Sequence, residues 1–404
     1  MNLRDKITQE IRERGPIPFS RFMELCLYHP ELGYYARHAE QFGKAGDFYT
    51  SSDVHAVFGR LLARQFEEIW RLLGSPAEIE ILELGPGRGL FAQDVMAWSE
   101  KKLPVFSTAL HYSLLESSPV LRNRLKDTLS HHIAAGKASI LPHPPNDGQG
   151  TSLPASTKIG VDRQLGPEVP LIVFANEFFD ACPVEILSAQ GELHLAEQSG
   201  RFVEEWLPAA PEALDFLDRY GVHPEADERI EAPLIAQEYV SRAASLIERG
   251  FLVAIDYGYT RSEQLAGRHR DTLMTYRRHS AGADPYQAPG EQDITAHVNF
   301  TALAAAAGEQ GMCMQPLLTQ SQFLLGIGEA NQFADAFVDC RLPQERAKVA
   351  LQLKHLITPE GMGENFRVLL ATKGLDVEKV SGLSGLSFGK SLTGLATSPQ
   401  QQPE

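Results

Sequence analysis

Apolar residues at Val54, Val57, Phe58, Leu61, Leu62, Phe66, Ile69, Trp70 and Leu73 trace one stripe at the period of an α-helix. Ser52 or Asp53 can cap its start, and Gly74 can end it. Two shorter helical stretches precede it. Residues 3–14 run until Gly15-Pro16 and Pro18, and a second stretch, which Ser20 can cap, stops near His29-Pro30. A turn-rich run from Gly33 through Gly43, Gly46 and Asp47 follows, so the first 75 residues read as a helical lid or platform.

From Ile79 the period changes. Residues 78–84 alternate and then break into Gly85-Pro86-Gly87-Arg88-Gly89, after which Leu90-Phe91 and Val95-Met96 resume helical spacing. Strands are expected at 110–115, ending on Glu116, and at 138–141. Residues 142–168, rich in Pro, Gly, Ser, Asn and Asp, read as a surface insertion. Leu171–Ala175 is a continuous apolar run, as a strand buried on both faces requires. Residues 184–207 suggest a hairpin with turns at Gly191 and Gly200. A helix over 232–248, stopped by Gly250, leads to a buried strand at 251–255. Residues 257–300 look irregular and polar, 301–309 helical, and 323–327 and 366–370 extended. This alternation predicts an α/β fold with a doubly wound parallel sheet. The division is an extension (1–75), a core (76–375) with insertions at 142–168, 184–250 and 257–300, and a loose tail (376–404).

The net charge of −15, from 52 acidic against 37 basic residues, argues against nucleic acid or an anionic membrane as partner and is compatible with a basic protein. Cys26, Cys182, Cys313 and Cys340 show no metal-ligand spacing and read as reduced thiols, so no metal is expected. No apolar run reaches membrane-spanning length, and Asp5, Glu10 and Glu13 are foreign to a transit segment; a cytoplasmic location is the simplest expectation.

The glycine turn carries the first chemistry. A strand that turns sharply into a helix while its backbone meets a ligand needs residues without Cβ and with access to positive φ. Gly85, Gly87 and Gly89 stand at every second position, after Glu83. A dinucleotide fingerprint would need its third glycine at position 90, which is Leu90, so a nicotinamide dehydrogenase is disfavoured. The next strand closes on Glu116, placed to accept both hydroxyls of an adenosine ribose, or else to serve the helix start at Ser117-Ser118-Pro119. The two features together favour a nucleoside ligand.

The segments GPIPFSRFMELCLYHPELGYY (15–35), GDFYTSSDVHAVFG (46–59), LELGPGRG (82–89), ANEFFDACPV (175–184), IDYGY (255–259), DTL (271–273), DITAHVNF (293–300), QSQFLLGIG (320–328) and MGENFRVL (362–369) give the chain its resemblance. It resembles the MidA-type methyltransferases, a family that includes the mitochondrial arginine methyltransferase assisting respiratory complex I assembly. The resemblance covers most of residues 1–370. It implies a class I, Rossmann-like, S-adenosylmethionine-dependent methyltransferase core with an N-terminal helical extension and substrate-side insertions. It also implies a protein substrate, with a respiratory complex subunit as one candidate, and it leaves the oligomeric state open. By motif matching, Gly85, Pro86, Gly87 and Gly89 would wrap the methionine part of the donor, with Glu83 near its ammonium and Glu116 and Ser117 at the ribose. Asp47, Thr50 and Ser51 would close over the donor from the extension.

Asn176, Glu177 and Asp180 follow the buried strand at its carboxyl end, where ligands of such sheets bind. One turn of helix would put Glu177 and Asp180 on the same face. If the acceptor is an arginine, two carboxylates would offset the repulsion between a guanidinium and a sulfonium and hold the planar fork. Catalysis would then be alignment and electrostatics. Asp256 ends another core strand; Tyr257, Tyr259, Tyr34 and Tyr35 are candidate groove aromatics, and His297 a candidate proton acceptor. A small-molecule methyltransferase and a non-catalytic assembly protein that keeps the fold are the competing readings.

Overall fold

The apolar runs of the sequence become the centre of one mixed sheet. The computed structural model describes residues 1–37, 56–142, 166, 168–277, 280–282, 284–329 and 331–388. Seven strands make the sheet's main path: β1 (Ile79–Leu84), β2 (Leu110–Leu115), β3 (Ala138–Ile140), β4 (Leu171–Asn176), β5 (Gly250–Tyr259), β6 (Cys313–Met314) and β7 (Phe366–Lys373). Their spatial order is β3-β2-β1-β4-β5-β7-β6, with β3 to β5 parallel. The chain order reverses between β1 and β4. The loops leaving those two strands therefore flank a crevice at the carboxyl edge of the sheet, which is where this architecture binds ligands.

One expectation changes at β7, which runs antiparallel to β5 from Gly250↔Lys373 to Tyr257↔Phe366. A strand covered on both faces has the same apolar signature whichever way it runs, so its direction could not be read from the pattern.

Helices cover both faces. Val57–Leu72, Leu90–Lys102, Gln320–Glu329 and Pro343–Ile357 pack on the side of Ile79, Ile81 and Phe174. Leu234–Ser245 and Phe300–Glu309 pack on the side of Leu82, Leu84 and Val173. Burial on both faces also overrides the alternation of β1. All six of its residues are buried, and Ser113 Oγ reaches the Glu80 carboxylate at 2.5 Å.

The N-terminal residues divide between two cores. Helices Leu3–Arg14 and Phe19–Tyr28 pack on a second sheet, built from Glu185–Ser188, Gly191–Gln198, Arg201–Leu207 and Ile230–Ala232 and joined by the bridge Ile17–Pro18. Helix Val57–Leu72 instead belongs to the main core. Ser20 does not cap the second helix: Pro18 holds that position, and Ser20 Oγ donates to Glu185 Oε1. Ser52 and Asp53, expected as caps of the long helix, lie outside the described residues, as does most of 142–168.

Four further segments differ from expectation. Residues 323–327 are helical, within Gln320–Glu329. The cause is a reciprocal cap, in which Gln322 N–H reaches Thr319 Oγ1 at 3.2 Å and Thr319 N–H reaches Gln322 Oε1 at 2.9 Å. Ala232 ends a strand, and the following helix starts at Leu234. Residues 257–300 carry the helix Arg261–Leu265 and a three-stranded sheet of Ser280–Ala281, Met274–Arg277 and Asp293–Thr295. The buried Glu231 carboxylate anchors that region, accepting from Thr272 N–H, Thr272 Oγ1 and Leu273 N–H at 2.8–3.1 Å. Residues 376–388 are packed rather than loose: Ser384 N–H donates to Glu68 and Gly385 N–H to Gln65.

Three elements meet at Phe174. Its ring stacks on Phe91 at 4.5 Å between centroids and receives the edge of Phe66 at 5.6 Å. Phe174→Ala should therefore cost about 3–5 kcal/mol of stability in a chemical denaturation series. A loss under about 1 kcal/mol would mean that the three elements do not share one core.

Candidate active site

The glycine loop is built as its spacing requires. Gly85, Gly87 and Gly89 have φ of 63°, 55° and 76°, in the left-handed region. A Cβ on Gly85 would stand 2.6 Å from the Phe178 ring, whereas one on Gly87 would meet nothing within 4 Å among the described residues. Gly85 thus lets the loop after β4 pack onto the loop after β1, and Gly87 presents bare backbone to open space. Pro86 is buried between them.

Two buried carboxyl groups back this loop. Glu83, at the end of β1, accepts from the Tyr112 hydroxyl at 2.8 Å, and burial pushes its pKa up to about 8. Glu116, directly after β2, accepts from Gly87 N–H at 3.1 Å and Ser118 N–H at 2.8 Å; burial raises it to about 7. The helix Pro119–Thr128 is capped by Ser118, whose Oγ accepts from Leu121 N–H, and Ser117 is half-buried beside Glu116. Glu116 therefore ties the glycine loop to the start of that helix, whose capping oxygen is Ser118 Oγ. These groups fit an adenosyl-sulfonium ligand: open backbone at Gly87, and two acids on the loop's inner side.

The second constellation is a turn without a helix. Glu177 sits at φ 50°, a sparsely populated conformation for a residue with a side chain, and its N–H donates to Ile255 O at 2.9 Å. The expected helical juxtaposition of Glu177 and Asp180 is therefore replaced by a tight turn. Its organiser is Asp256, fully buried where β5 parts from β4. Asp256 Oδ2 accepts from Phe178, Phe179 and Asp180 N–H at 2.9–3.3 Å, and Oδ1 accepts from Tyr257 N–H at 3.0 Å. Burial, then Asp180 and Glu177, push the Asp256 carboxyl up, and the N–H donors oppose them.

Asp180 is 7% exposed. Its Oδ2 accepts from the Tyr257 hydroxyl at 2.5 Å, while Oδ1 makes no hydrogen bond among the described residues. Burial raises its carboxyl to about 6, with the Tyr257 bond and nearby N–H groups opposing. Asn176 donates from Nδ2 to Glu177 Oε1 at 3.3 Å, and its buried Oδ1 makes no hydrogen bond among the described residues. Among the described residues neither Asp180 nor Asp256 has a cationic partner in a salt bridge.

The other candidates separate. Tyr257 faces the site through its hydroxyl, but Tyr259 is buried against His269 and Tyr34 is core. His297 meets the Tyr257 ring at 5.3 Å and shares an Nδ1···Nδ1 contact of 3.2 Å with His269 instead of meeting a carboxylate. Burial lowers it to about 4, so it is neutral at physiological pH. Asp47, Thr50 and Ser51 lie outside the described residues. Tyr112, Phe178 as the cover of Gly85, and Asp293 were missed as site residues. Asp293 bonds Tyr35 Oη at 3.1 Å, and its only sequence signal was its place at the head of DITAHVNF. Among the described residues no three His, Cys, Asp or Glu are arranged to hold a metal, and no helix is long and apolar enough to cross a membrane.

A family model described as "Putative S-adenosyl-L-methionine-dependent methyltransferase" matches residues 61–317. The Drosophila melanogaster protein arginine methyltransferase NDUFAF7 homolog, mitochondrial, is 30% identical over 399 residues, spanning 93% of this chain and 85% of that protein. Human protein arginine methyltransferase NDUFAF7, mitochondrial, is 27% identical over 371 residues, spanning 88% and 80%. A Burkholderia thailandensis superfamily member, a candidate methyl transferase crystallised with S-adenosyl-homocysteine, superposes with a TM-score of 0.77 at 27% identity, covering 95% of this chain and 94% of that one.

The buried carboxyl groups set a pH dependence. Glu83, Glu116 and Asp180 hold protons in the folded protein at pH values where the unfolded chain has released them. Their contribution to stability is full below the unfolded carboxyl range and is lost as pH rises through about 6 to 8. The ligand-free protein should melt at lower temperature at pH 8.5 than at pH 6. Glu83→Gln should raise the melting temperature at pH 8.5 by a few degrees, roughly 2–4 °C per kcal/mol recovered, and leave it unchanged near pH 5. Parallel pH profiles for the two proteins would show that Glu83 is not held protonated.

Proposed function

The chain belongs to the S-adenosyl-L-methionine-dependent methyltransferase family that matches it over residues 61–317, and from that premise we propose that it methylates a guanidinium nitrogen of a protein arginine. The enzyme is an S-adenosyl-L-methionine-dependent methyltransferase with an α/β fold and a mixed sheet like those of its structural relatives. The strand order β3-β2-β1-β4-β5 supports the finer reading of a class I, Rossmann-like core.

One observation carries the acceptor reading. Asp180, two residues past the Phe178 that covers Gly85, is buried with an unbonded oxygen and no cationic partner among the described residues. Buried carboxylates are costly unless paired, so a cationic ligand suits this place better than a neutral one. The names of the relatives, protein arginine methyltransferases, agree with a guanidinium. The same kinship supports a respiratory complex subunit as the protein that carries it.

When bound, the donor supplies an electrophilic methyl group on a sulfonium. In this reading Gly85, Gly87 and Gly89 hold its methionine part, Glu116 with Ser117 takes the ribose hydroxyls, and Glu83 lies near the ammonium. Glu177 and Asp180 fix the guanidinium fork by charge-assisted bonds and aim one nitrogen. Tyr257 holds Asp180 in place, and Asn176 holds Glu177. As the N–C bond forms and the S–C bond breaks, the attacking nitrogen gives up a proton, and the Glu177 carboxylate is the acceptor within the turn. The strained backbone at Glu177 serves to aim that carboxylate.

The test is labelled-methyl transfer to an extract from a strain lacking the protein, followed by identification of the modified residue. Label on arginine is expected; label on another residue or on a small molecule would replace the arginine reading. Glu177→Gln should bind S-adenosylhomocysteine as the parent does in calorimetry and lose about 100-fold or more in transfer rate. Undiminished turnover would remove Glu177 from the mechanism.

A further inference from the structure

Linked to Asp180 through backbone and tyrosines is a second buried acid that the arginine reading does not use. Asp293 opens the strand Asp293–Thr295 and is 1% exposed. It pairs across the small inserted sheet with Tyr276, and paired residues of antiparallel strands put their side chains on one face. The next residue, Ile294, points the other way into the N-terminal core. Tyr35 donates its hydroxyl to Asp293 Oδ1 at 3.1 Å, and its ring lies 5.4 Å from that of Tyr28. Tyr28 in turn donates to the carbonyl of Ala181, at 2.9 Å, next to Asp180.

The two acids are also joined through backbone. Ala296, one residue past the strand, donates its N–H to the Asp180 carbonyl at 2.9 Å. Burial pushes up the phenols of Tyr28, Tyr35 and Tyr276, and the charges of Asp180 and Asp293 add to it at each, at Tyr28 after those of Cys182 and Tyr239. Two buried acids, Asp180 and Asp293, thus act on the same half-buried tyrosines, Tyr35 and Tyr276. Electron-rich rings and carboxylates together suit a planar, delocalised cation more than a neutral or anionic group.

We propose that Asp293 and Tyr35 form the second jaw of the acceptor slot, facing Asp180 and Tyr257, and that this jaw selects a guanidinium over an uncharged side chain of the same shape. The proposal rests on the arginine reading for its ligand, but it assigns specificity to an inserted strand and the N-terminal segment, outside the sheet core. Asp293 and Tyr35 are specificity-determining residues here; the methyl-transfer chemistry stays with the turn after β4.

The experiment uses the full chain with S-adenosylhomocysteine bound. A short acetylated Gly-Arg-Gly peptide and its citrulline counterpart, of equal shape and no charge, are titrated into it by calorimetry or NMR. The parent should prefer arginine by about tenfold or more, the scale of one charge-assisted contact. Asp293→Asn should reduce that preference to about threefold or less, with S-adenosylhomocysteine affinity unchanged; a purely structural role would instead weaken both peptides and the donor product alike. Tyr35→Phe, which keeps the ring, should lose part of the preference and decides the matter if the Asn variant does not fold. Equal binding of the two peptides by the parent, or an intact preference in the variants, overturns the slot. If the slot holds but the parent labels no arginine in extract, the arginine-transfer reading fails by itself. If arginine is labelled and Asp293→Asn keeps the parental KM for its acceptor, only the slot fails.

Discussion

Four backbone N–H groups converge on the Asp256 carboxylate, and the shape of the candidate active site depends on that convergence. The parallel pairing of β4 and β5 ends at Ile255↔Asn176, so the chain beyond Asn176 loses its ladder partner while still inside the protein. Buried N–H groups left unpaired are expensive. A single acid on the neighbouring strand satisfies three consecutive N–H groups instead. The turn this makes can carry Glu177 in a left-handed conformation and seat Phe178 on Gly85. The loops proposed for donor and acceptor are thereby locked to each other through one ring and one carboxylate.

That economy has an electrostatic consequence. Glu83, Glu116, Asp180 and Asp256 all lie in the sheet's carboxyl edge, and burial favours the neutral form of each. Without ligand the site is more comfortable protonated. The donor is a cation, and so is an arginine acceptor, and each would favour ionisation of the acids around it. Ligand charge is then part of what makes the site stable.

The sequence made much of this legible, and the failures have physical causes. The strand–glycine–helix break at 79–90 and the acid at 116 were readable because backbone geometry and position on the sheet edge follow directly from residue type. The long helix around Phe66 was readable from its period. Glu177 and Asp180 do follow the buried strand as expected, but their relation was misjudged, since a spacing of three suggests a helix until a distant acid supplies the turn's hydrogen bonds. Residues 323–327 misled because a short apolar run suits strand and helix equally; Thr319 and Gln322 held the deciding cap. The irregular look of 257–300 had a similar origin, for its order comes from Glu231, about 40 residues upstream of Thr272.

Asp293 and Tyr35 explain why the acceptor side was hardest to read. Each belongs to a segment that packs on the second sheet, and they meet only because β-bridge Ile17–Pro18 and strand Asp293–Thr295 bring the N-terminal helices and the insertion to one side of the turn after β4. No local pattern encodes a contact between residues 258 apart. The loop proposed to hold the donor, in contrast, is local: three glycines and two acids at the ends of adjacent strands. A Rossmann-like core can therefore announce its cofactor in a short motif, while the choice of acceptor is distributed over insertions that signal only their own packing. The fold is shared among methyltransferases of many acceptors, and an acceptor is better argued from where the buried acids lie than from the glycine motif.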